Sequence, residues 1–307
     1  MRAERREQTT LAAPCTVSGR GYWTGRVNTL TFLPAPADTG VRFVRTDLQG
    51  HPSVAAVAEQ RASLPLRTRL IHGPAEVDMV EHVMAAVAGL RIDNVLIHCT
   101  ASEMPAMDGS SFAFALALHG AGRVNLPAWR QVLVIDRPVR VGNAEQWIAA
   151  EPLSHHPQTS NAAAGHLRLD YELDYGPQSP IAKSRFAIEL TPQNFMEQLS
   201  AARTFIDVAT ARQLQARGLA QHVTDQDLIV FDERGPVNNR LRFPDECARH
   251  KLLDLVGDLA LAGMDVVGRI TAFRGGHQLN GEMAAALRHL AGQQATELAA
   301  AHPRLAA

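Results

Sequence analysis

Twice along this chain a stretch of two-residue alternation gives way to a helical period, and that order constrains the fold more than any other feature. "NTLTFLPAPADTGVRFVRTDL" (28–48) alternates apolar and polar residues around a Pro/Ala/Asp-Gly turn, which predicts a hairpin. Val77, Val80, Val83, Met84, Val87 and Ala88 then recur at helical spacing until Gly89, which predicts a helix over 77–88. "IDNVLIHCT" reads as a strand, and "MDGSSFAFALALHGAG" as a turn opening a second helix with Asp108 or Ser110 near its N-cap. The second series begins with "RQVLVIDRPVRV", "EQWIAAEPL", "HLRLDYELDY" and "SRFAIEL", all strand candidates. Helices follow at 207–217, closed by Gly218, and at 245–262, ended by Gly263. "VVGRITAFRGGH" is a strand leading to a Gly-Gly turn, and 280–300 is an Ala-rich helix. Strands then helices, twice, argue for an α+β fold with two similarly built halves rather than an alternating parallel sheet. Residues 125–130 hold Pro127 and no strong pattern, so the expected linker falls there, between domains at 1–125 and 130–307. The stretch 154–166, rich in His, Ser, Asn and Ala, is expected to be a surface loop.

A length of 307 residues suits two domains. The net charge of -1 supplies no field to draw the whole chain to nucleic acid or an anionic membrane, so neither is an expected partner. The three cysteines, Cys15, Cys99 and Cys247, are far apart and form no CxxC pair, which argues against a disulfide framework and a zinc ribbon. The N-terminal residues lack the long apolar run of a signal peptide, and no apolar stretch approaches the roughly 20 residues that span a bilayer. The expectation is a cytoplasmic protein without stable membrane insertion, acting as a monomer.

The residues that could carry chemistry lie mostly on two helices. In "DECARHKLLDLVGDLALAG", His250 and Asp254 are four apart and stack on one face, with Asp258 one turn further on. Such a pair can bind one divalent ion from the same side; it can equally be a solvent-facing stripe in which the two residues pair with each other. Glu81 and His82 are adjacent and diverge by about 100° around the axis. They could flank one ion, or be two polar residues on the exposed side of an amphipathic helix. His277 follows Gly275 and Gly276, where a tight turn could hold a general acid or base, or simply a loop histidine. "AARTF" places Arg203 and Thr204 before a helix, where the hydroxyl could cap the helix or touch substrate.

Taken together, "PAPADTG", "VEHVMAAVAGLRIDN", "MPAMDGS", "AARTF", "LRFPDECARHKLLDLVGDLALAG" and "TAFRGGHQLN" resemble the UDP-3-O-acyl-N-acetylglucosamine deacetylase family, the zinc enzymes of lipid A biosynthesis, in the family's order and spacing. The resemblance implies helical layers packed between two β-sheets, an active site between the two domains, and an inserted unit near 204–222 that forms an apolar passage for the acyl chain. It implies His82, His250 and Asp254 as ligands of one catalytic Zn2+, a set that also accepts Fe2+. Glu81 would be the general base and His277 the general acid or an electrostatic stabiliser toward the leaving amine, with Asp258 orienting His277. Thr204 would hydrogen-bond the oxyanion and Lys251 would add positive charge. Phe205 and Leu214 would line the acyl passage, and Arg274 would meet the nucleotide diphosphate. The substrate implied is a UDP-linked acylated glucosamine, which loses its N-acetyl group as acetate. A divergent amidase of another acylated amino sugar and a non-catalytic nucleotide-sugar binder are the alternatives. The chain departs from the family pattern at Trp23, within Gly19–Gly25, where a His is usual. It departs also at Arg67 and Arg69, and at Gln221 and His222, where glycines are usual. We expect no fused dehydratase region of the kind some members have.

Overall fold

The computed structural model describes residues 6–153 and 167–301, so the loop expected at 154–166 lies outside the described residues. In chain order the first half holds β1 (Glu7–Leu11), β2 (Cys15–Arg20), β3 (Val27–Pro34), β4 (Val41–Arg45), β5 (Ser53–Ala55), β6 (Arg61–Leu64), β7 (Arg67–His72) and β8 (Ala75–Asp78). It continues with α1 (Glu81–Gly89), β9 (Val95–Cys99), α2 (Phe112–Ala121) and β10 (Arg123–Trp129). The second half holds β11 (Val132–Val134), β12 (Val139–Gly142), β13 (Trp147–Glu151), β14 (Leu167–Leu173), β15 (Ser184–Glu189), α3 (Pro192–Asn194), β16 (Phe205–Asp207), α4 (Val208–Ala216), β17 (Ile229–Asp232) and β18 (Gly235–Pro236). It ends with α5 (Glu246–Leu259), β19 (Asp265–Phe273) and α6 (His277–Ala301).

The fold is α+β, and the two halves repeat one topology. The first sheet runs β2-β3-β9-β4-β5 and the second β12-β13-β19-β14-β15. In each, the late strand enters the middle, antiparallel to one neighbour and parallel to the other. Each half also carries an inserted three-stranded sheet just before its first long helix: β6-β7-β8 in the first and β16-β17-β18 in the second. Only the second of these is anticipated by the sequence reading. α5 and α6 lie on the second sheet, α2 packs on β2, and α1 contacts both α2 and α5, so helices of both halves meet in the interior. Phe32, Phe43, Ile97, Met84, Leu253, Tyr171 and Ile270, all buried, belong to one continuous apolar core.

Several expectations need correction. The hairpin over 28–48 does not form, because β9 sits between β3 and β4. The intervening segment is no tight turn: it spans the width of a strand, with Asp38 and Gly40 at positive φ and Asp38 bonded to Gln8. The helix starts at Glu81 rather than 77. Val77 belongs to β8, and Met79 at φ 59 breaks the strand from the helix. The expected linker is strand β10, paired with β1; the register slips at Pro127, where a missing N–H is tolerated. His277 is no turn residue but the first residue of α6.

Candidate metal centre and active-site cavity

α1 and α5 come together unusually closely, and a glycine makes this possible. A Cβ on Gly257 would lie 2.0 Å from the Glu81 carbonyl oxygen. The contact sets the N-terminal turn of α1 against the middle of α5, so Glu81 and His82 face His250, Asp254 and Asp258. None of these side chains is on the surface: all five are buried. The solvent-facing stripe on α5 and the exposed pair on α1 are therefore both ruled out. α5 is buried around nearly its whole circumference, with its polar arc turned into the molecule.

The Nε2 atoms of His82 and His250 lie 3.5 Å and 3.4 Å from Asp254 Oδ1. One ligand atom from each of the three residues falls within 4.8 Å of the others. Asp254 Oδ1 is buried without a hydrogen-bond partner. An unpaired buried carboxylate oxygen costs several kcal/mol in order of magnitude unless something meets it, and a divalent cation between two imidazoles does so. The rest of the shell fits. His250 Nδ1 donates to the Ala202 carbonyl (3.1 Å), leaving Nε2 with its lone pair toward the cluster. Burial pushes the His250 pKa down to about 3, so the ring stays neutral as a ligand must. Burial alone would raise Asp254, but its electrostatic interactions with His250, Lys251 and His277 outweigh it and hold the carboxyl well below its usual range. Lys251 Nζ occupies the other oxygen, Oδ2, at 2.6 Å.

Around this cluster stand two groups able to move protons. Burial raises the Glu81 pKa despite the opposing electrostatic pull of His277 and His82, and Glu81 Oε2 accepts from the Thr68 backbone N–H at 3.0 Å. His277 donates from Nδ1 to Asp258 Oδ2 (3.0 Å), and its Nε2 points toward Asp254 Oδ2, 3.7 Å away. Burial would lower the His277 pKa, yet Asp258 and Asp254 bring it up to about 9. Asp258, fully buried, is gripped by Thr68 Oγ1 (2.5 Å) and Asn280 Nδ2 (2.9 Å). Thr68 thus holds Glu81 and Asp258 at once. Neither Thr68 nor Asn280 stands out in the sequence, since neither has a ligand-like spacing.

The centre opens into a cavity of about 940 Å³. Its walls include Glu81, His82, His250, Lys251, Asp254 and His277, together with Thr204, Phe205 and Leu214. Thr204 opens a strand, not a helix, and its backbone N–H donates to the Gly109 carbonyl (2.8 Å). Arg203 is drawn inward to buried Glu246 (2.8 Å) and is structural. The "MDGSS" turn supports the site from behind: Asp108 accepts from Ser110, and Ser111 Oγ donates to the His82 carbonyl (2.6 Å). Arg274 is not among the residues lining the cavity; it pairs with Asp174 (3.1 Å) beside the Phe273 ring. Every other residue singled out as catalytic, metal-binding or acyl-lining meets at this one cavity or, for Asp258, directly behind it.

Comparison with known proteins places most of the chain in one family. The family model for UDP-3-O-acyl N-acetylglycosamine deacetylase matches residues 8–289. A UDP-3-O-acyl-N-acetylglucosamine deacetylase of Anaeromyxobacter dehalogenans is 38% identical over 89% of this chain and 84% of its own. The enzyme of that name from Myxococcus xanthus is 36% identical over 91% and 86%, and that from Brucella ovis 37% over 91% and 94%.

Proposed function

The chain belongs to the UDP-3-O-acyl N-acetylglycosamine deacetylase family, and from that premise we propose how its own residues carry the reaction. The activity is hydrolysis of the N-acetyl amide of UDP-3-O-acyl-N-acetylglucosamine, the deacetylation step of lipid A biosynthesis. The observation that carries our reading of the site is Asp254 Oδ1, buried, unpaired and facing two imidazole nitrogens.

In this reading His82, His250 and Asp254 hold one divalent ion. Two imidazoles and a carboxylate suit zinc, and also accept ferrous iron. When bound, the ion would polarise the acetamide carbonyl and make water more acidic. Glu81 takes the proton of the attacking water, a task suited to a carboxylate whose pKa burial has raised. His277, kept protonated by Asp258, delivers a proton to the amine nitrogen as the C–N bond breaks. The Thr204 hydroxyl hydrogen-bonds the developing oxyanion, and Lys251 adds positive charge beside it. Phe205 and Leu214 line the passage for the acyl chain. For Arg274 to reach the nucleotide diphosphate, its guanidinium must exchange Asp174 for the phosphates. Among the described residues no helix is long and apolar enough to cross a membrane. We take the enzyme to act as a cytoplasmic monomer, which sedimentation at working concentration and cell fractionation check.

The test is acetate release from the UDP-3-O-acyl substrate by zinc-loaded protein, alongside metal analysis of wild type and His82→Ala. One ion per chain in the wild type, lost in the variant, and turnover only by the former are expected. Failure to release acetate with the ion bound would overturn the reading.

A further inference from the structure

The turn from Gly21 to Gly25 is fastened from three sides. Buried Glu103 accepts from the backbone N–H of Trp23 (2.7 Å) and of Thr24 (2.9 Å). Tyr22 donates its hydroxyl to the Asp227 carbonyl (2.6 Å), and His222 Nε2 donates to the Gly21 carbonyl (2.8 Å). The last two bonds cross to the segment between α4 and β17. The Trp23 ring is held as well. The Arg67 guanidinium carbon lies 4.4 Å from the ring centroid. Arg67 Nε in turn donates to Asp78 (3.1 Å), which Arg69 also grips at 2.6 Å. Backbone and ring are thus both immobilised. A cation against an aromatic face is attracted through the ring quadrupole, more strongly as water is excluded.

Trp23 lines the same cavity as the metal centre. Beside it in that lining stand Leu64, Pro65, Leu66 and Met79, all from the first half of the chain. The two arginines of β7 beside this wall are committed, Arg67 to Asp78 and the indole, Arg69 to Asp78 and Glu76. Both guanidinium groups carry a carboxylate counter-charge, so they draw a diphosphate less than bare cations would. An indole face beside Leu64, Pro65, Leu66 and Met79 presents mostly hydrocarbon and suits an acyl chain. The opposite supply of apolar lining, Phe205, Leu214 and Val223, comes from the inserted unit of the second half. The cavity therefore has apolar walls from both halves, and the first is braced by a residue pair remote in sequence.

We propose that Trp23, braced by Arg67 and Asp78, is a specificity-determining wall that limits the size of the 3-O-acyl group this enzyme accepts. This rests on the deacetylase reading. Trp23 touches the acyl chain; Arg67 acts only through Trp23 and is a positioning residue.

The experiment measures kcat/KM for a series of UDP-3-O-acyl-N-acetylglucosamines differing only in chain length, with metal-loaded wild type, Trp23→Ala, Arg67→Ala and Arg67→Lys. Binding of the corresponding deacetylated products is measured by calorimetry, which needs no turnover. Trp23→Ala should raise the long-to-short ratio of kcat/KM by about tenfold, chiefly through KM, the scale of discrimination expected when pocket space changes by a methylene or more. Arg67→Ala should move the ratio the same way by about threefold, with Arg67→Lys restoring part of it, since an ammonium still stacks on the ring. Product binding should shift in parallel. A ratio within twofold of wild type in Trp23→Ala overturns the proposal. So does an equal fall in kcat at every chain length, which would place the indole against the sugar or the reacting groups. If Trp23→Ala does not fold or load metal, Trp23→Phe and Arg67→Ala decide by the same sign. Wild type that turns over beside an unshifted variant sinks this inference alone. Wild type without turnover, but with a chain-length shift in product binding, sinks the deacetylase reading and leaves the wall standing.

Discussion

Two clusters of charge join the halves of this molecule, one partly buried and one fully buried, and they are satisfied in opposite ways. In one, Arg6 and Arg130 meet Asp93 and Asp265. Both oxygens of Asp93 are taken, by Arg6 (2.6 and 2.8 Å), Arg130 (3.1 Å) and the Thr9 N–H (2.8 Å). Both oxygens of Asp265 are taken by Arg6 (2.6 and 2.8 Å) and Arg130 (3.2 Å). In the other, Asp254 Oδ1 has no partner, although two imidazole nitrogens stand within 3.5 Å. Burial of charge is tolerated when every lone pair is met. The first cluster meets that condition with protein atoms alone and is a clamp. The second meets it only if a cation arrives, which is why we propose it as the metal site.

The comparison breaks most decisively at Asp254. Asp254→Ala should abolish stoichiometric metal binding and lower kcat/KM by roughly a thousandfold or more, since an ion's charge stabilisation is worth several kcal/mol and each 1.4 kcal/mol is tenfold. Metal retained at one ion per chain in this variant would refute the ligand set. Glu81→Gln keeps the shape and the ligands, so metal content should hold while kcat falls by about a hundredfold to ten-thousandfold. A variant that loses both would show that Glu81 is itself a ligand. Thr68→Val removes the hydroxyl that grips Asp258 and keeps the backbone N–H that Glu81 uses. A loss of about tenfold in kcat, with metal and KM unchanged, is the expectation for a partner one step removed from the reacting atoms. No change in kcat would make Thr68 a packing residue only.

How much of this could be read from the chain depends on distance along it. His250 and Asp254 share a helical turn, so their spacing alone brings them to one face. Residues 207–217 and 245–262, with Gly218 and Gly263 both at positive φ where their helices end, were legible for the same reason. The hairpin over 28–48 failed because its partner strand, β9, arrives some fifty residues later and takes the place between β3 and β4. Val77 fits a helical period and a strand period alike, and Met79 at φ 59 decides between them. Thr68 and Asn280 reach Asp258 from a strand and a helix far from α5 in sequence, and local pattern carries no trace of that meeting. Collinear resemblance to one family, rather than spacing, joined Glu81, His82 and His277 to the α5 pair.

The clamp yields smaller effects, and they fall on stability instead of chemistry. Arg6→Ala leaves the Asp93 and Asp265 carboxylates short of donors in a partly exposed setting, with Arg6 at 15% and Asp93 at 3% side-chain exposure. Its cost should be about 2–3 kcal/mol of unfolding free energy, below the 3–5 kcal/mol typical of a fully buried pair. Metal content and kcat should not change, since nothing in the clamp lines the active-site cavity. The pH dependence then separates the clamp's charge from its packing. Burial pushes Asp265 up, but bonds and charges from Arg6 and Arg130 prevail and hold its pKa below the ordinary value. A depressed carboxyl stabilises the fold fully above its unfolded pKa of about 3.9 and loses that contribution as pH falls through the folded value. Arg6→Ala weakens the depression. The stability gap between wild type and variant should therefore be widest near neutrality and narrow as pH drops below about 4. Urea unfolding across that range tests it. A gap that stays constant with pH would mean Arg6 acts by covering apolar surface, and the contrast between a satisfied clamp and an unsatisfied site would lose its electrostatic basis.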